Sequence, residues 1–493
     1  MPGGNTILKS GLLIDGELIE KSSGGTYDHV NAATGKVQHT LPVAGVDEVD
    51  RAVESARRAF PEWRRLPGNA RRDLLLRLGE LLRRDGAALA EICSLENGTP
   101  VRFATNLAAV TAEWFTYYAG WADKVNGEFI PLPAGRPSID YTLAEPFGVV
   151  AVITPWNGPI GSIGMKAAAA LAAGNCVIIK PPELTPFSPL RFGELCLEAG
   201  FPPGVVNVIA GRGDAGDALV RHPGVDKVTF TGGTATGKAI MKAAAEQLTP
   251  VTLELGGKSA NIIFADSDLD AAIPASVFGG AGMLSGQGCK CPTRMLVEES
   301  IYDAVVERAI AAATSLAIGD PLDPATVMGP VVTAQRCAYI EGVIEQAKAD
   351  GSEVLTGGSR LGGDLADGYY LEPTVFGDTE PSSALAQTEI FGPVIAIIKF
   401  GDEDEAVRIA NDTEYGLAAY VWTNDLRRAH DLSSRLDAGS MSVNVPLPPF
   451  GPQAPRGGFK ASGFGLEGGR HGLEDFLRIK NVFVALSQEG FGP

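Results

Sequence analysis

Two cysteines lie one residue apart in a glycine-rich stretch, LSGQGCKCPTR, at residues 284–294. Cys289 and Cys291 could ligate a metal, form a disulfide or supply a nucleophile. A closed zinc site needs about four ligands, and the five histidines of the chain form no spaced ligand set. A disulfide between residues two apart is strained. Both arguments favour a nucleophile. The glycines on both sides would let backbone N–H groups approach the oxyanion that develops on the substrate. Thiol chemistry alone leaves the choice open, because a free thiol is mostly protonated at neutral pH.

Three other short stretches carry residues that could take part in chemistry. TPWNGP, at 154–159, presents the amide of Asn157 at the end of a strand, and LELGGKSANI places the carboxyl of Glu254 beside two glycines. EIFGPV brings Glu389 before Phe391. Taken singly, each has a structural explanation: Asn157 could cap a helix, and Glu254 could be a solvated acid.

Two glycine-rich turns follow predicted strands and open predicted helices. GRGDAG, with Gly211, Gly213 and Gly216, matches the G-x-G-x-x-G fingerprint, but the acid expected about 20 residues later is absent. The pattern therefore fits a phosphate loop and an ordinary turn equally well. FTGGTATGKAI, at 230–240, is a second turn whose helix N-terminus could face a pyrophosphate. Two such turns in one sheet favour nucleotide binding.

The hydrophobic pattern predicts the elements that must position these residues. Residues 45–125 carry apolar side chains at helical spacing. Residues 126–146 alternate between apolar and polar side chains and are interrupted by prolines, as expected of an exposed hairpin. From residue 147 short apolar strands alternate with helices, and a second such set follows a division near residue 258. This order predicts an α/β fold with two parallel sheets.

Composition narrows the classes of partner and compartment. The chain has 493 residues and a net charge of −18, so we expect neither nucleic acid nor an anionic membrane surface as a partner. No apolar run reaches the roughly 18 residues of a membrane span, and the first 20 residues lack the apolar core of a signal peptide. Six cysteines in so long a chain do not make a disulfide framework. We expect a cytoplasmic protein with reduced thiols.

Taken together, the motifs resemble the aldehyde dehydrogenase superfamily. The resemblance runs from LLIDGE through YYAGWADK, IIKPPELTP, FTGGTATG, GQGCKCPTR, GDPLDP and EIFGPV to PRGGFKASGFG. It implies an aldehyde dehydrogenase-like α/β fold with two parallel-sheet domains and a small β element for oligomerisation. The implied ranges are 1–125 with 147–257 for NAD binding, 258–457 for catalysis, and 126–146 with 475–493 for bridging subunits.

The resemblance also implies roles for individual residues. Cys289 matches the family nucleophile, Glu254 the general base and Asn157 the oxyanion amide, whereas Cys291 has no family role. No metal is required. The residues that match the NAD site, with NADP as an alternative cofactor, are Ile153, Thr154, Pro155, Trp156, Lys180, Glu183, Gly213, Phe230, Thr231, Gly232, Gly233, Leu255, Glu389 and Phe391.

The implied reaction oxidises an aldehyde to a carboxylic acid. The Cys289 thiolate would attack the carbonyl carbon, the adduct would lose hydride to nicotinamide, and Glu254 would activate water to hydrolyse the thioester. We expect a small-molecule aldehyde as substrate, and a homodimer or homotetramer. Two alternatives stay open, namely a relative that transfers the acyl group to coenzyme A and a non-catalytic binding protein on the same fold.

Several positions depart from the family pattern. Gly158 and the stretch GMLS stand where bulky or aromatic residues are common, Gly233 replaces a frequent serine, and Leu466 replaces a frequent arginine. Lys290 follows the nucleophile, and Arg456 stands where an apolar residue is common. These departures predict a wide, cationic tunnel for bulky aldehydes, including ones with a carboxylate or other polar end.

Overall fold

The computed structural model describes residues 8–132, 138–446 and 451–486. The predicted domain and bridging ranges that include 1–7, 133–137, 447–450 and 487–493 lie in those parts outside the described residues. The α-helices, α1 to α15, are Val46–Arg65, Gly68–Arg84, Gly86–Asn97, Val101–Ala119, Pro159–Ala173, Phe187–Ala199, Gly213–Arg221, Thr234–Ala245, Leu269–Val277, Tyr302–Thr314, Ala334–Ala349, Ala384–Gln387, Glu403–Asn411, Leu426–Arg435 and Gly469–Glu474.

The strands, β1 to β22, are Leu12–Ile14, Glu17–Ile19, Thr26–Asn31, Lys36–Pro42, Phe129–Ile130, Ser138–Pro146, Val149–Ile153, Cys176–Lys180, Val206–Val208, Lys227–Thr231, Val251–Glu254, Ala260–Ile263, Arg294–Glu298, Glu353–Thr356, Thr374–Gly377, Val394–Phe400, Tyr415–Gly416, Ala419–Trp422, Met441–Val443, Phe459–Lys460, Gly463–Phe464 and Leu477–Ala485. Two of the sheets that they form position the site, and a third stands apart from them.

The first sheet has the order β2-β1-β9-β8-β7-β10-β11-β21, and its strands from β9 to β11 run parallel. Strands β7 and β8 are buried along their whole length, because helices cover both faces of a parallel sheet. This explains why their sequences, VVAVI and CVIIK, are mostly apolar. The alternation predicted from residue 147 is confirmed through β7, α5, β8, α6, β9, α7 and β10.

The second sheet has the order β14-β15-β16-β13-β12-β18-β19. The chain leaves the first sheet at the end of β11, Glu254, and enters the second at the start of β12, Ala260. The predicted division near residue 258 falls in that connection. Later the chain returns, since β21 pairs with β11 at Leu253 and Glu254. The domain ranges themselves stay a prediction.

The parallel strands of the first sheet end along one edge. Strands β7, β8, β10 and β11 end at Ile153, Lys180, Thr231 and Glu254, and parallel pairing places these ends side by side. The carboxyl edge of a parallel sheet is where ligands bind in open α/β folds. The topology therefore gathers the predicted site residues, which are far apart in the sequence.

A third sheet, β22-β6-β5, stands apart from the other two. Strand β5 pairs antiparallel with β6 as the predicted hairpin requires, and β22 pairs with β6 from Leu477 opposite Pro146 to Ala485 opposite Ser138. Strand β22 forms an edge with apolar side chains exposed, among them Ile479. Among the described residues, no helix has both the length and the apolar composition that crossing a bilayer requires.

Candidate active site

A cavity of about 500 Å³ lies at the carboxyl edge of the first sheet. Cys289 and Asn157 both line it, although 132 residues separate them in the sequence. All the predicted NAD-site residues except Glu183 line it as well, namely Ile153, Thr154, Pro155, Trp156, Lys180, Gly213, Phe230, Thr231, Gly232, Gly233, Leu255, Glu389 and Phe391. Glu254 and Glu183 are not on its wall.

The loop that carries Cys289 has an unusual backbone. After a π-helical turn, Leu284 and Ser285 have φ values of 51° and 56°, and Gly286 follows at 68°. A Cβ on Gly286 would lie 2.1 Å from the carbonyl oxygen of Gly392, so glycine is needed there for a close approach as well as for its φ. This packing places the nucleophile loop against the segment that carries Glu389 and Phe391.

The two thiols of this loop differ in access rather than in acidity. Burial raises the pKa of both Cys289 and Cys291 to about 12. Cys289 is half-buried and lines the cavity, whereas Cys291 is only 3% exposed and does not. Only the Cys289 sulfur can therefore meet a molecule in the cavity. In the described part of the chain, no cluster of three or more histidine, cysteine or acidic side chains could hold a metal ion.

Asn157 is held by the nucleophile loop. Its Nδ2 donates a hydrogen bond of 2.8 Å to the carbonyl oxygen of Gln287. Gln287 is itself fixed, because its Oε1 accepts from the backbone N–H of Val332 at 3.0 Å. An amide NH₂ has two donors, so the second N–H of Asn157 remains to meet an oxygen in the cavity. The amide is thereby oriented at a fixed position relative to Cys289.

Glu254 ends β11 just behind the cavity, whose wall includes the next two residues, Leu255 and Gly256. The carboxyl is 8% exposed, and its Oε1 has no hydrogen-bond partner among the described residues. Burial, followed by the negative charge of Glu467, raises the pKa of Glu254 to about 8. A carboxyl with this pKa can take up and release a proton near neutral pH, as a general base must.

Four further charged groups surround this carboxyl. Lys166 is fully buried, and its Nζ lies 2.5 Å from Glu467 Oε1. The positive charges of Lys166, Lys290 and Arg456 each lower the pKa of Glu254, against the larger raising effects of burial and Glu467. Sequence reasoning missed the Lys166–Glu467 ion pair, because nothing local in the sequence links residues 301 positions apart.

Glu389 and Phe391 line the cavity in the segment that packs on the nucleophile loop. The backbone N–H of Gly257 donates to Glu389 Oε1 at 2.9 Å, and burial raises the pKa of this carboxyl. The ring of Phe391 packs edge-to-face on Trp156 with centroids 5.2 Å apart. Arg336, which the sequence did not single out, lines the cavity and donates to the carbonyl oxygen of Ile390. The ring contact joins the end of β7 to the segment that carries Glu389, and Arg336 joins α11 to the same segment.

The other end of the cavity fits a dinucleotide. Helices α7 and α8 begin there, and neither has a side-chain N-cap within the described residues, so their first N–H groups can meet phosphate oxygens. A Cβ on Gly233 would find no described atom within 4 Å. The hydroxyls of Thr154 and Thr231 are buried without hydrogen-bond partners in the described chain, as expected of groups that await a polar ligand.

Lys180 is 6% exposed, and burial lowers the pKa of its amine to about 8. Glu183 lies half-buried beside it, near enough for its charge to raise the pKa of Lys180. The same charge also acts on Tyr27 of β3. These interactions place Glu183 beside Lys180, a residue of the cavity wall, although Glu183 itself does not line the cavity.

Sequence reasoning also missed the walls that α7 and α8 contribute. Beyond Gly213 and Gly216, which the glycine fingerprint had singled out, their cavity-lining residues are Asp217, Val220, Thr236, Ala239, Ile240 and Ala243. Within each helix the lining residues stand at positions i, i+3, i+4 and i+7, beginning at Gly213 in α7 and at Thr236 in α8, so they form one face. That spacing was the available signal, since both helices were predicted and the turns before them were already candidates for nucleotide binding.

Comparisons with known proteins agree with this geometry. Residues 18–482 match the model of the Aldehyde dehydrogenase family. The human retinal dehydrogenase 2 is 41% identical over 485 residues, which cover 97% of this chain and 92% of that protein.

Two solved structures are similar over nearly the whole chain. The complex of PnpE, a protein of Pseudomonas sp. WBC-3, with nicotinamide adenine dinucleotide has a TM-score of 0.94 at 40% identity, covering 97% of this chain and 98% of that one. Betaine aldehyde dehydrogenase of Staphylococcus aureus in complex with NAD⁺ has a TM-score of 0.95 at 36% identity, covering 99% and 97%.

These findings confirm the predicted α/β fold, the predicted resemblance and the class of enzyme. The chain belongs to the aldehyde dehydrogenase family, whose members are NAD(P)-dependent oxidoreductases.

Proposed function

We propose that this protein oxidises an aldehyde to a carboxylic acid with NAD⁺, through a thiohemiacetal and then a thioester on Cys289 that water hydrolyses with Glu254 as base. One observation carries the proposal: the cavity that fits a dinucleotide at one end holds an accessible thiol at the other. Asn157 lines the same cavity and is anchored to the nucleophile loop.

The first step needs the Cys289 thiolate and a hydrogen-bond donor for the negative charge that develops on the substrate oxygen. Burial raises the pKa of Cys289 to about 12, so the thiol rests protonated and gives its proton to a water molecule as the C–S bond forms. Attack on the carbonyl carbon forms the C–S bond and moves the electron pair to oxygen. The second N–H of Asn157 can donate to that oxygen, which is the position where a preorganised donor accelerates acyl transfer.

The second half of the reaction hydrolyses the thioester. Glu254, with a pKa of about 8, takes a proton from water, and the hydroxide attacks the acyl carbon and expels the Cys289 thiolate. Glu254 is set behind Leu255 and Gly256 rather than on the cavity wall. Such a position suits a base that reaches the acyl group through water rather than by direct contact.

The chain's own residues fit the cofactor. Lys180 and Thr154, with Thr231 and Gly233 at the start of α8, would hold the adenosine and pyrophosphate, and Glu389 and Phe391 would border the nicotinamide. When bound, NAD⁺ accepts the hydride that the aldehyde carbon gives up. We further propose NAD⁺ rather than NADP⁺ as the preferred form, because the carboxylate of Glu183 repels a 2′-phosphate.

Three broader expectations accompany this proposal. The domain ranges given above, a homo-oligomer joined through β6 and β22, and a cytoplasmic location remain predictions from the sequence. The exposed apolar edge of β22 supports the second of them.

The test compares the two thiols. Purified wild-type protein, Cys289→Ala and Cys291→Ala are assayed for NADH formation with NAD⁺ and a set of chemically varied aldehydes. We expect Cys289→Ala to abolish activity and Cys291→Ala to keep most of it. Full activity in Cys289→Ala would refute the proposal. Adding coenzyme A distinguishes hydrolysis from acyl transfer, because a CoA thioester product would replace the free acid if transfer were the reaction.

A further inference from the structure

The end of helix α3 lies beside the oxyanion residue. The helix ends at Asn97, and Gly98 follows it with a φ of 77°. Asn97 is 5% exposed, and its Nδ2 donates a hydrogen bond of 3.0 Å to the carbonyl oxygen of Trp156. That carbonyl belongs to the peptide group that joins Trp156 to Asn157. Asn97 therefore holds the backbone from which the oxyanion amide projects.

The side chain of Asn97 is itself fixed in one orientation. Its Oδ1 accepts a hydrogen bond of 3.1 Å from the backbone N–H of Thr99. An amide oxygen can only accept and an amide NH₂ can only donate, so the two contacts together determine which end of the side chain faces Trp156. Aspartate has nearly the same shape and could keep the contact with Thr99, but its ionised carboxylate has no proton to donate to Trp156.

Further contacts connect the end of α3 to the nucleophile loop. A Cβ on Gly98 would lie 2.6 Å from Cγ of Pro330, and one on Gly329 would overlap the carbonyl oxygen of Gly98. These segments are therefore closely packed. The nucleophile loop donates to the same segment, from Ser285 Oγ to the Gly329 carbonyl at 2.7 Å and from Gln287 Nε2 to the Pro330 carbonyl at 3.4 Å. The loop is thus tied to the end of α3.

The contacts close into a ring around the oxyanion residue. Asn157 donates to the carbonyl of Gln287, and the carbonyl before Asn157 accepts from Asn97. Trp156 and Asn157 line both the main cavity and a second cavity of about 10 Å³. The other residues that line this second cavity are Asn97, Gly98, Thr99, Leu284, Gln287 and Pro330. A space of that size holds about one water molecule, so Trp156 and Asn157 have little room to move away from the main cavity.

We propose that Asn97 is a positioning residue for the reaction, which holds the peptide group before Asn157 so that the second N–H of Asn157 meets the developing oxyanion. The inference rests on the proposed function, since it assumes that Asn157 stabilises that charge. Asn97 lines the small cavity and not the main one, so it acts through Asn157. Its contribution is to geometry, because an oxyanion donor accelerates the reaction when it is preorganised at the position where charge develops.

A double-mutant cycle tests whether Asn97 acts through Asn157. The probe is benzaldehyde or hexanal, whichever the wild type oxidises faster. The rate constant of NADH formation is measured in a single turnover, with enzyme in excess over aldehyde and NAD⁺ saturating, for wild type, Asn97→Asp, Asn157→Ala and the double variant.

The expected result differs between the two backgrounds. Asn97→Asp should lower the rate constant about tenfold in the wild-type background, because the Trp156 carbonyl loses its donor. In the Asn157→Ala background the same substitution should change the rate constant less than about twofold, because the amide that Asn97 positions is absent. A role of Asn97 in general stability would instead lower the rate constant equally in both backgrounds.

Asn175 supplies a matched control at the opposite end of the first sheet. This fully buried asparagine directly precedes β8, and its Nδ2 donates to the carbonyl oxygens of Ala170 and Phe476, whereas its Oδ1 accepts from the N–H of Gly148. It lines neither cavity. Asn175→Asp should lower the midpoint of thermal unfolding, as Asn97→Asp does, and leave the rate constant within about twofold of wild type.

Three results would overturn the inference: a wild-type rate constant in Asn97→Asp, an equal loss in both backgrounds, or a loss as large in Asn175→Asp. If Asn97→Asp does not fold, Asn97→Ala enters the same cycle with the same expected outcomes, because it removes the donor without adding a charge.

These outcomes are distinct from failure of the proposed function. If NADH formation depends on Cys289 and is slowed in Asn157→Ala, the proposed function stands whatever Asn97 does. If Asn157→Ala reacts at the wild-type rate, the oxyanion role and this inference fail together while the role of Cys289 stands. If no aldehyde yields NADH in the wild type, the proposed function fails and this inference fails with it.

Discussion

Glu254 is a buried carboxyl whose protonation state should set the pH dependence of turnover. With a pKa of about 8 it is mostly neutral at pH 7 and becomes a base as the pH rises through 8. We therefore expect the steady-state rate to increase between about pH 7 and 9 when hydrolysis limits turnover. In Glu254→Gln that rise should disappear.

The same variant separates the two halves of the reaction. The carboxylate is needed chiefly to activate water, so Glu254→Gln should give a burst of NADH near one per active site followed by slow turnover. Stopped-flow absorbance measures both phases, and wild type supplies the matched trace. If burst and steady state fell equally, Glu254 would be acting in acylation and the assignment of the base would be wrong.

Asn157 should affect acylation, the first half of the reaction. Removing an oxyanion donor costs roughly 10²–10³ in rate, so Asn157→Ala should slow the burst itself. The amide also anchors on Gln287, and the truncation could shift the loop. NAD⁺ affinity, measured by calorimetry, serves as the control: unchanged affinity with a slowed burst supports the oxyanion role. A normal burst would contradict it.

At the residue scale, the sequence distinguished the catalytic residues from their neighbours only in part. The resemblance indicated Cys289 rather than Cys291, but the physical reason lies in the fold, where one sulfur lines a cavity and the other is buried. Acidity does not distinguish them, since burial raises both thiols to the same pKa. The sequence also could not show that Glu254 stands behind the cavity wall, because that depends on where β11 ends against β21.

At the scale of elements, the sequence predicted those strands and helices whose apolar pattern is continuous within one short segment. The run of buried strands and helices from β7 to β10 is confirmed, because each strand is a continuous apolar segment between turn residues. Strands β1 and β2 were not predicted; each has three residues, and β1 extends the sheet by pairing with β9. Strand β21 has two residues and is defined only by its partner β11.

The loop after β8 offers a prediction about the cofactor. Glu183 lies between β8 and α6, half-buried near Lys180 and Tyr27. Its carboxylate can accept a hydrogen bond from a ribose 2′-OH and repels a 2′-phosphate. We expect a higher kcat/KM with NAD⁺ than with NADP⁺, and Glu183→Gln should reduce that ratio. The Arg212 guanidinium lies 5.9 Å from the ring centroid of Tyr27. Because its positive charge would attract a 2′-phosphate, we expect the preference for NAD⁺ to be graded rather than absolute.

Glu194 of α6 supplies the control for this experiment. It is an acid of the following helix, paired at the surface with Lys9, and Glu194→Gln should leave the cofactor ratio unchanged. An equal or better kcat/KM with NADP⁺ in the wild type would contradict the role given to Glu183.

At the scale of the whole molecule, the reacting groups depend on long-range contacts. The cavity draws its wall from the ends of β7, β8, β10 and β11 and from loops that precede β13 and β16. The segment with Arg456 and Glu467 returns to the first sheet, where β21 pairs with β11 at Leu253 and Glu254. The motifs predicted which residues meet, because the resemblance spans the chain. The group of charged side chains around Glu254 required the structure, because its members come from separate elements.

The third sheet leads to a prediction about assembly. Strand β22 is nine residues long, lies at the edge of its sheet in the described residues, and exposes Ile479 (67%) and Phe483 (48%). A long apolar edge strand pairs with another chain unless it is protected, so we expect a second copy to cover it. The double substitution Ile479→Asp and Phe483→Asp should lower the molar mass found by light scattering after size exclusion, towards that of a 51.4 kDa protomer. Leu426→Asp, at an exposed leucine (73%) on α14, should not. A wild-type protein that elutes as a monomer, or a double variant of unchanged mass, would contradict an interface at β22.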